Sequence, residues 1–176
     1  MGLNRRALIL SGALAPFAAC AETGAAETRT GKKILVLDFE MIDTSNEPGD
    51  QRADHARRLV AARTAIEDGL RAHGTYVVVD RAPIEGDIAE ILKKTHLRTC
   101  NGCERELAAK VGADLVLTGV VNKVSLLILS MGVTIARVPS DETIYHQGFD
   151  FRGDNDRSYE KTGKYIADRL ARAPVI

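Results

Sequence analysis

Cys100 and Cys103 bracket the stretch Cys100-Asn101-Gly102-Cys103, a spacing that sets two thiols one helical turn apart. Three chemistries fit such a pair. In an oxidising compartment the sulfurs close a short-loop disulfide. If one sulfur attacks and the other resolves, they form a thiol-disulfide exchange site. With His96 upstream they offer one nitrogen and two sulfurs, a set suited to Zn or Cu(I), with Glu104 or a distant side chain to complete it. A structural zinc site ordinarily uses four firm ligands, and the sequence has no second CxxC and no HxxxH. Covalent haem is excluded on the motif, because Glu104 stands where haem attachment requires His. Asn101 and Glu104 read as a capping box that starts a helix inside the motif. Cys103 then falls in the first helical turn, where the helix dipole favours a thiolate.

A second group of polar residues follows the first apolar run. Asp38, Glu40 and Asp43 lie at a strand exit, where open α/β sheets bind ligands, and are candidates for contacting a cation or a partner's basic group. An ordinary polar strand exit has the same composition. Asp154, Asn155 and Asp156 lack the spacing and glycine of a calcium loop and read as turn and helix-cap residues. His55, His73 and His146 have no acidic or nucleophilic partner in evident register. A Gly-rich phosphate loop, a G-x-S-x-G elbow and an HExxH helix are all missing from the sequence. No catalytic residue is assigned, no cofactor is expected beyond the Zn or Cu alternative, and the chain reads as non-enzymatic.

The choice among the thiol chemistries depends on compartment. Arg5 and Arg6, the apolar run Ala7 to Ala15, Pro16 and the small residues Ala19-Cys20-Ala21 have the layout of an export signal over residues 1–21. The run is too short for a spanning helix. Phe17-Ala18-Ala19-Cys20 also fits a lipobox with Phe at its first position, which makes Cys20 a lipidation candidate. Either route removes or blocks Cys20 and leaves Cys100 and Cys103 as the one free pair. The expected location is the periplasm, or the membrane through a lipid anchor at Cys20.

Residues 22–31 read as a flexible linker, and residues 32–176 as one domain large enough for a core without disulfide staples. The chain balances 24 basic against 24 acidic residues and becomes slightly acidic without its first segment. That argues against nucleic acid or anionic lipid as the main partner. The expected membrane contact is through the signal segment or the lipid anchor alone.

The elements that must position these residues follow an α/β order. Ile34-Leu35-Val36-Leu37 is a continuous apolar run typical of a strand buried on both faces. A helix from a cap at Asp50 to a stop at Gly74 carries Leu59, Val60, Ile66 and Leu70 on one stripe. Tyr76 to Asp80 is the next strand, which makes a right-handed parallel crossover. Pro83 opens a second helical segment, Glu104 to Val111 a third, and Leu115 to Val121 is a third strand. Two antiparallel strands follow over Lys123 to Val138 and Thr143 to Arg152, then a last helix with Tyr159, Thr162, Ile166 and Leu170 inward. The fold class is α/β with a mixed sheet: a parallel βαβ start, antiparallel hairpins, and helices packed on the sheet in two or three layers. Leu126-Leu127-Ile128-Leu129 reads as a buried hairpin strand, or alternatively as an exposed apolar edge that pairs with another protein.

The segments KILVLDFE, YVVVD, CNGCERELAAKVGADLVLTGVVNKVS and FDFRGDNDRSYEKTGKYIADRL resemble an uncharacterised family of small exported bacterial proteins over nearly all of the expected mature chain. More distantly, the order of elements is similar to the amino-terminal domain of TolB and to the CsgG and LpoB type of periplasmic α/β domains. That resemblance implies assembly and contact with an envelope protein, and not catalysis.

Overall fold

The computed structural model describes residues 31–140 and 142–175, so the expected signal segment, Cys20 and all of the expected linker except Gly31 lie outside the described residues. Strand β1 (Lys33–Asp43) is an inner strand, second from one edge, of a five-stranded sheet of order β2-β1-β3-β4-β5. β2 (Val77–Val78) and β3 (Leu115–Lys123) lie parallel to it on either side. β4 (Leu129–Arg137) and β5 (Thr143–Phe151) continue from β3 as antiparallel neighbours. The mixed α/β order expected from the sequence is the one observed.

Both faces of β1 are buried because successive side chains point to opposite sides of a strand. Ile34 and Val36 enter a core with Ile66 and Leu70 of α1 (Arg52–His73) and Tyr159, Ile166 and Leu170 of α4 (Asp156–Arg172). Leu35 and Leu37 enter a second core with Ile88 of α2 (Glu85–Leu92) and Cys103 and Leu107 of α3 (Cys103–Lys110). The first core runs under all of β3, β4 and β5. The second reaches little beyond β3, so the sheet has helices on both faces at one end and on one face at the other. Thr118, Val120, Gly132, Thr134, His146 and Gly148 therefore line a half-open sheet face.

The α1 and α4 helices cross closely because small residues face each other. A Cβ on Gly163 would lie 2.6 Å from the Ala62 carbonyl oxygen, and one on Gly69 2.5 Å from Ala167 Cβ. Tyr159, Thr162, Ile166 and Leu170 are all buried, as their spacing predicts.

A bulge in β1 sorts the residues at its end. Pairing with β3 shifts between Val36 and Phe39, where β1 takes one residue more than its partner. Phe39 thereby returns to the α1/α4 core that Val36 occupies. Glu40 is turned toward the α3 side and Asp43 toward α1.

Three local expectations are corrected. The second strand is shorter than expected, pairing with β1 only at Val77 and Val78; Tyr76 before it is buried, and its hydroxyl accepts the Val175 N–H at 2.8 Å. The helix expected to be capped by Asn101 is entered through Gly102, with no side-chain cap; Asn101 and Gly102 have φ of 53° and 108°. Leu126 to Ile128 belong to the exposed β3–β4 connection, and of that run only Leu129 is buried in the sheet.

Candidate functional site

The two cysteines sit where a tight 3-10 turn, Leu97–Thr99, meets the start of α3. Their sulfurs lie within disulfide-bonding distance, with Cα atoms 5.6 Å apart. Cys103 is buried among Leu97, Leu107 and Ala108, and Cys100 is half-buried. Glu104 joins them, and the ligand atoms of Cys100, Cys103 and Glu104 all lie within 4.8 Å of one another. His96 is directed elsewhere: its Nδ1 is 3.4 Å from Glu40 Oε1, and most of its side chain is exposed.

Glu40 holds this turn from beneath. Its carboxylate accepts the Leu97 N–H at 2.8 Å, the Arg98 N–H at 3.3 Å and the Arg98 guanidinium at 3.0 Å. A buried carboxylate requires such donors, and a 3-10 turn leaves its first N–H groups free to supply them. The strand exit and the CxxC loop are therefore one unit.

Asp38 and Asp43 do not share that unit. Asp38 receives a bidentate pair from Arg81 at 2.8 and 2.6 Å, and Arg63 Nε lies 3.2 Å away. Burial alone would pull the Arg81 guanidinium down, but Asp38 and Glu85 outweigh it and hold it above its ordinary value. Asp43 accepts from the Ser45 N–H and hydroxyl and lies 3.5 Å from Lys123 Nζ. Burial opposes its charge, yet the Ser45 bonds and Lys123 keep its carboxyl below the usual range. The three acids thus serve three separate networks.

Lys123 is the centre of the last of these. It is fully buried at the end of β3, and its Nζ lies 2.8 Å from Asp154, 2.9 Å from Glu47 and 3.3 Å from His55 Nε2; it also donates to Gln51. Arg58 and the Tyr159 hydroxyl complete Asp154 at 2.9 and 3.1 Å. Desolvation would lower the Lys123 ammonium, but Asp154 and Glu47 hold it above its ordinary value. Desolvation likewise opposes the Asp154 charge, and Lys123 and Arg58 still keep it low. Burial and the Asp154 charge push the Tyr159 phenol well up.

Residues 32–170 match the model of DUF3280, a family described as "Protein of unknown function (DUF2380)". The chain belongs to the DUF3280 family. No curated protein matches it. The lipoprotein GNA1162 from Neisseria meningitidis covers 81% of this DUF3280 chain and 99% of its own length at 13% identity, with a TM-score of 0.51. The LpoB C-terminal domain from Salmonella enterica covers 72% and 86% at 14% identity, with a TM-score of 0.44. For the PelC dodecamer from Paraburkholderia phytofirmans the values are 84%, 90%, 19% and 0.44. At these identities the likeness to GNA1162 is one of fold. Among the described residues of the DUF3280 chain, no helix is long and apolar enough to cross a membrane.

The Lys123 network was not visible in the sequence. His55, which has no acidic partner in sequence register, lies 3.4 Å from Asp154 across 99 residues. His73 meets Asp168 at 2.7 Å, and His146 pairs with the Thr134 hydroxyl at 2.9 Å. The one sequence signal was Lys123 itself, a cation just after the apolar run Leu115 to Val121 and before Val124 to Leu129.

Proposed function

We propose that this DUF3280 domain is exported to the cell envelope and acts there by holding an extended segment of another envelope protein, with Cys100 and Cys103 joined as a structural disulfide. The observation that carries the reading is the β5 edge. β5 ends the sheet, and among the described residues no strand pairs with its outer side. Natural sheets blunt such edges with lysine, proline, other charges or a bulge; β5 has no lysine or proline, its bulge falls at its first residues, at Ile144, and Asp150 near its end is its one charge. An extended peptide adds to a free edge through main-chain hydrogen bonds and reads alternate side chains in pockets. The half-open face beside β5, with His146 and Gly148, supplies such a surface. GNA1162, whose fold this chain shares, is a lipoprotein, which agrees with an envelope location. Within that reading the CxxC pins the turn on Glu40, so that α3 stays seated against β1 and β3.

The test is a photo-crosslinking residue placed at His146 or Asp150, both exposed on β5, in intact cells. A discrete cross-linked envelope protein is expected from both sites, absent from a control at Arg71 in α1. Gln147→Lys, which adds the edge charge that opposes pairing, removes the product. Equal products from β5 and the control, or none from β5, would overturn the reading.

A second reading rests on the donor set. Reduced Cys100 and Cys103 with Glu104 offer two soft sulfurs and one oxygen to Zn or Cu(I), and His96 joins only by leaving Glu40. Equilibrium dialysis of the reduced protein decides it: no zinc or copper uptake removes the metal role. Thiol-disulfide exchange is tested by a mixed disulfide trapped on Cys100→Ser or Cys103→Ser.

A further inference from the structure

The connection between β3 and β4 carries Val124, Leu126, Leu127 and Ile128, and these side chains are 53% to 67% exposed. A contiguous aliphatic cluster this open marks a contact surface. Its backbone indicates what it contacts. The Val124 and Ser125 N–H groups donate to the Ile128 carbonyl, and the Ile128 N–H to that of Ser125. The Ser125 hydroxyl accepts from the Leu127 and Ile128 N–H groups. The Leu126 carbonyl accepts the Asp154 N–H at 2.8 Å. These bonds, ordinary in a tight turn, leave few of the tip's N–H groups to be stripped of water, which lowers the cost of entering hydrocarbon.

Charge points the same way. No charged residue occurs from Val124 to Ala136. Asp150 and Arg152 are exposed at the rim of the cleft, about 570 Å³, that Val124, Leu127 and Ile128 line, and neither has an ion-pair partner among the described residues. One charge of each sign around an aliphatic tip complements the phosphate and ammonium of a zwitterionic headgroup.

We propose that the β3–β4 tip seats the domain on a phospholipid surface. Leu126, Leu127 and Ile128 enter the acyl boundary to a depth of about 5–10 Å, as interfacial apolar groups do, while Asp150 and Arg152 remain among the headgroups. The apolar tip adjoins the β5 edge through Asp150, but its contact with lipid does not rest on the edge reading.

The chain contains no tryptophan, so Leu127→Trp places a single reporter on an exposed side chain. With vesicles of phosphatidylcholine and phosphatidylethanolamine its emission is expected to shift to the blue and to be quenched by lipids brominated on the acyl chain. Adding Leu126→Ser and Ile128→Ser is expected to weaken partitioning about tenfold or more, because apolar area entering the bilayer supplies the binding. Circular dichroism confirms that each variant is folded. An emission spectrum unchanged by vesicles would overturn the proposal. So would a blue shift that needs no lipid and grows with protein concentration, or a photo-cross-link from position 127 to a protein.

Discussion

Glu40 accepts the Leu97 backbone N–H at 2.8 Å across 57 residues of sequence, tying the later part of β1 to the turn that delivers Cys100. The carboxylate is buried, so its removal strands the Leu97 and Arg98 N–H groups as well as deleting an ion pair. Glu40→Ala is expected to destabilise the fold by about 1–3 kcal/mol, the usual cost of an unsatisfied buried donor. Urea unfolding measures this. Amide exchange at Leu97 and Arg98 is expected to accelerate more than exchange in α1, because the loss is local.

Lys123 and Asp154 form the most buried ion pair among the described residues, with side chains 0% and 1% exposed. Deleting one partner leaves the other charge uncompensated in a low-dielectric site. Lys123→Met is expected to cost about 3–5 kcal/mol, whereas Lys123→Met with Asp154→Leu costs less than the sum of the single changes. A double-mutant cycle in urea checks this, and strict additivity would show that the pair is not coupled.

The same network sets the pH range of stability. Asp43, Glu47 and Asp154 are held below their unfolded values of 3.8, 4.5 and 3.8, so their contribution is present above those values and is lost as pH falls through the lower folded ones. Lys123 and Tyr159 are held above their unfolded values of 10.5 and 10.0, so their contribution is present below those values and is lost as pH rises through the folded ones. Thermal midpoints measured against pH are expected to show a plateau between the two limbs. The alkaline limb is expected to shrink in Lys123→Met.

The order of elements and the mixed character of the sheet were legible because their causes are local. Continuous apolar runs mark strands buried on both faces, and Ile34 to Leu37 is buried throughout. The inward stripe of α4 follows from helical spacing alone. The partners of Glu40, His55 and Lys123 were not legible, since each comes from an element far along the chain and no pattern encodes which strand exit meets which turn. Nor did the sequence reveal that Leu126 to Ile128 lie outside the sheet: an apolar run adjoining a strand has the same composition whether it continues the ladder or forms its tip. The bulge in β1 was equally hidden, and it alone decides that Glu40 faces the cysteines while Asp43 faces Lys123.

Gly163 tests the close approach of α1 and α4. Replacing a helical glycine with alanine normally stabilises a helix by about 1 kcal/mol through lower chain entropy in the unfolded state. Here the added methyl would meet the Ala62 carbonyl oxygen at 2.6 Å and Ala65 Cβ at 2.9 Å, so α4 must move away from α1. Backbone atoms cannot yield as a flexible side chain does, and overpacking costs about 1–3 kcal/mol. Gly163→Ala is therefore expected to be net destabilising, and Gly163→Val more so, as read from thermal midpoints. An unchanged or raised midpoint for Gly163→Ala would show that the two helices can separate without loss, and that the α1–α4 crossing does not set the stability of the domain.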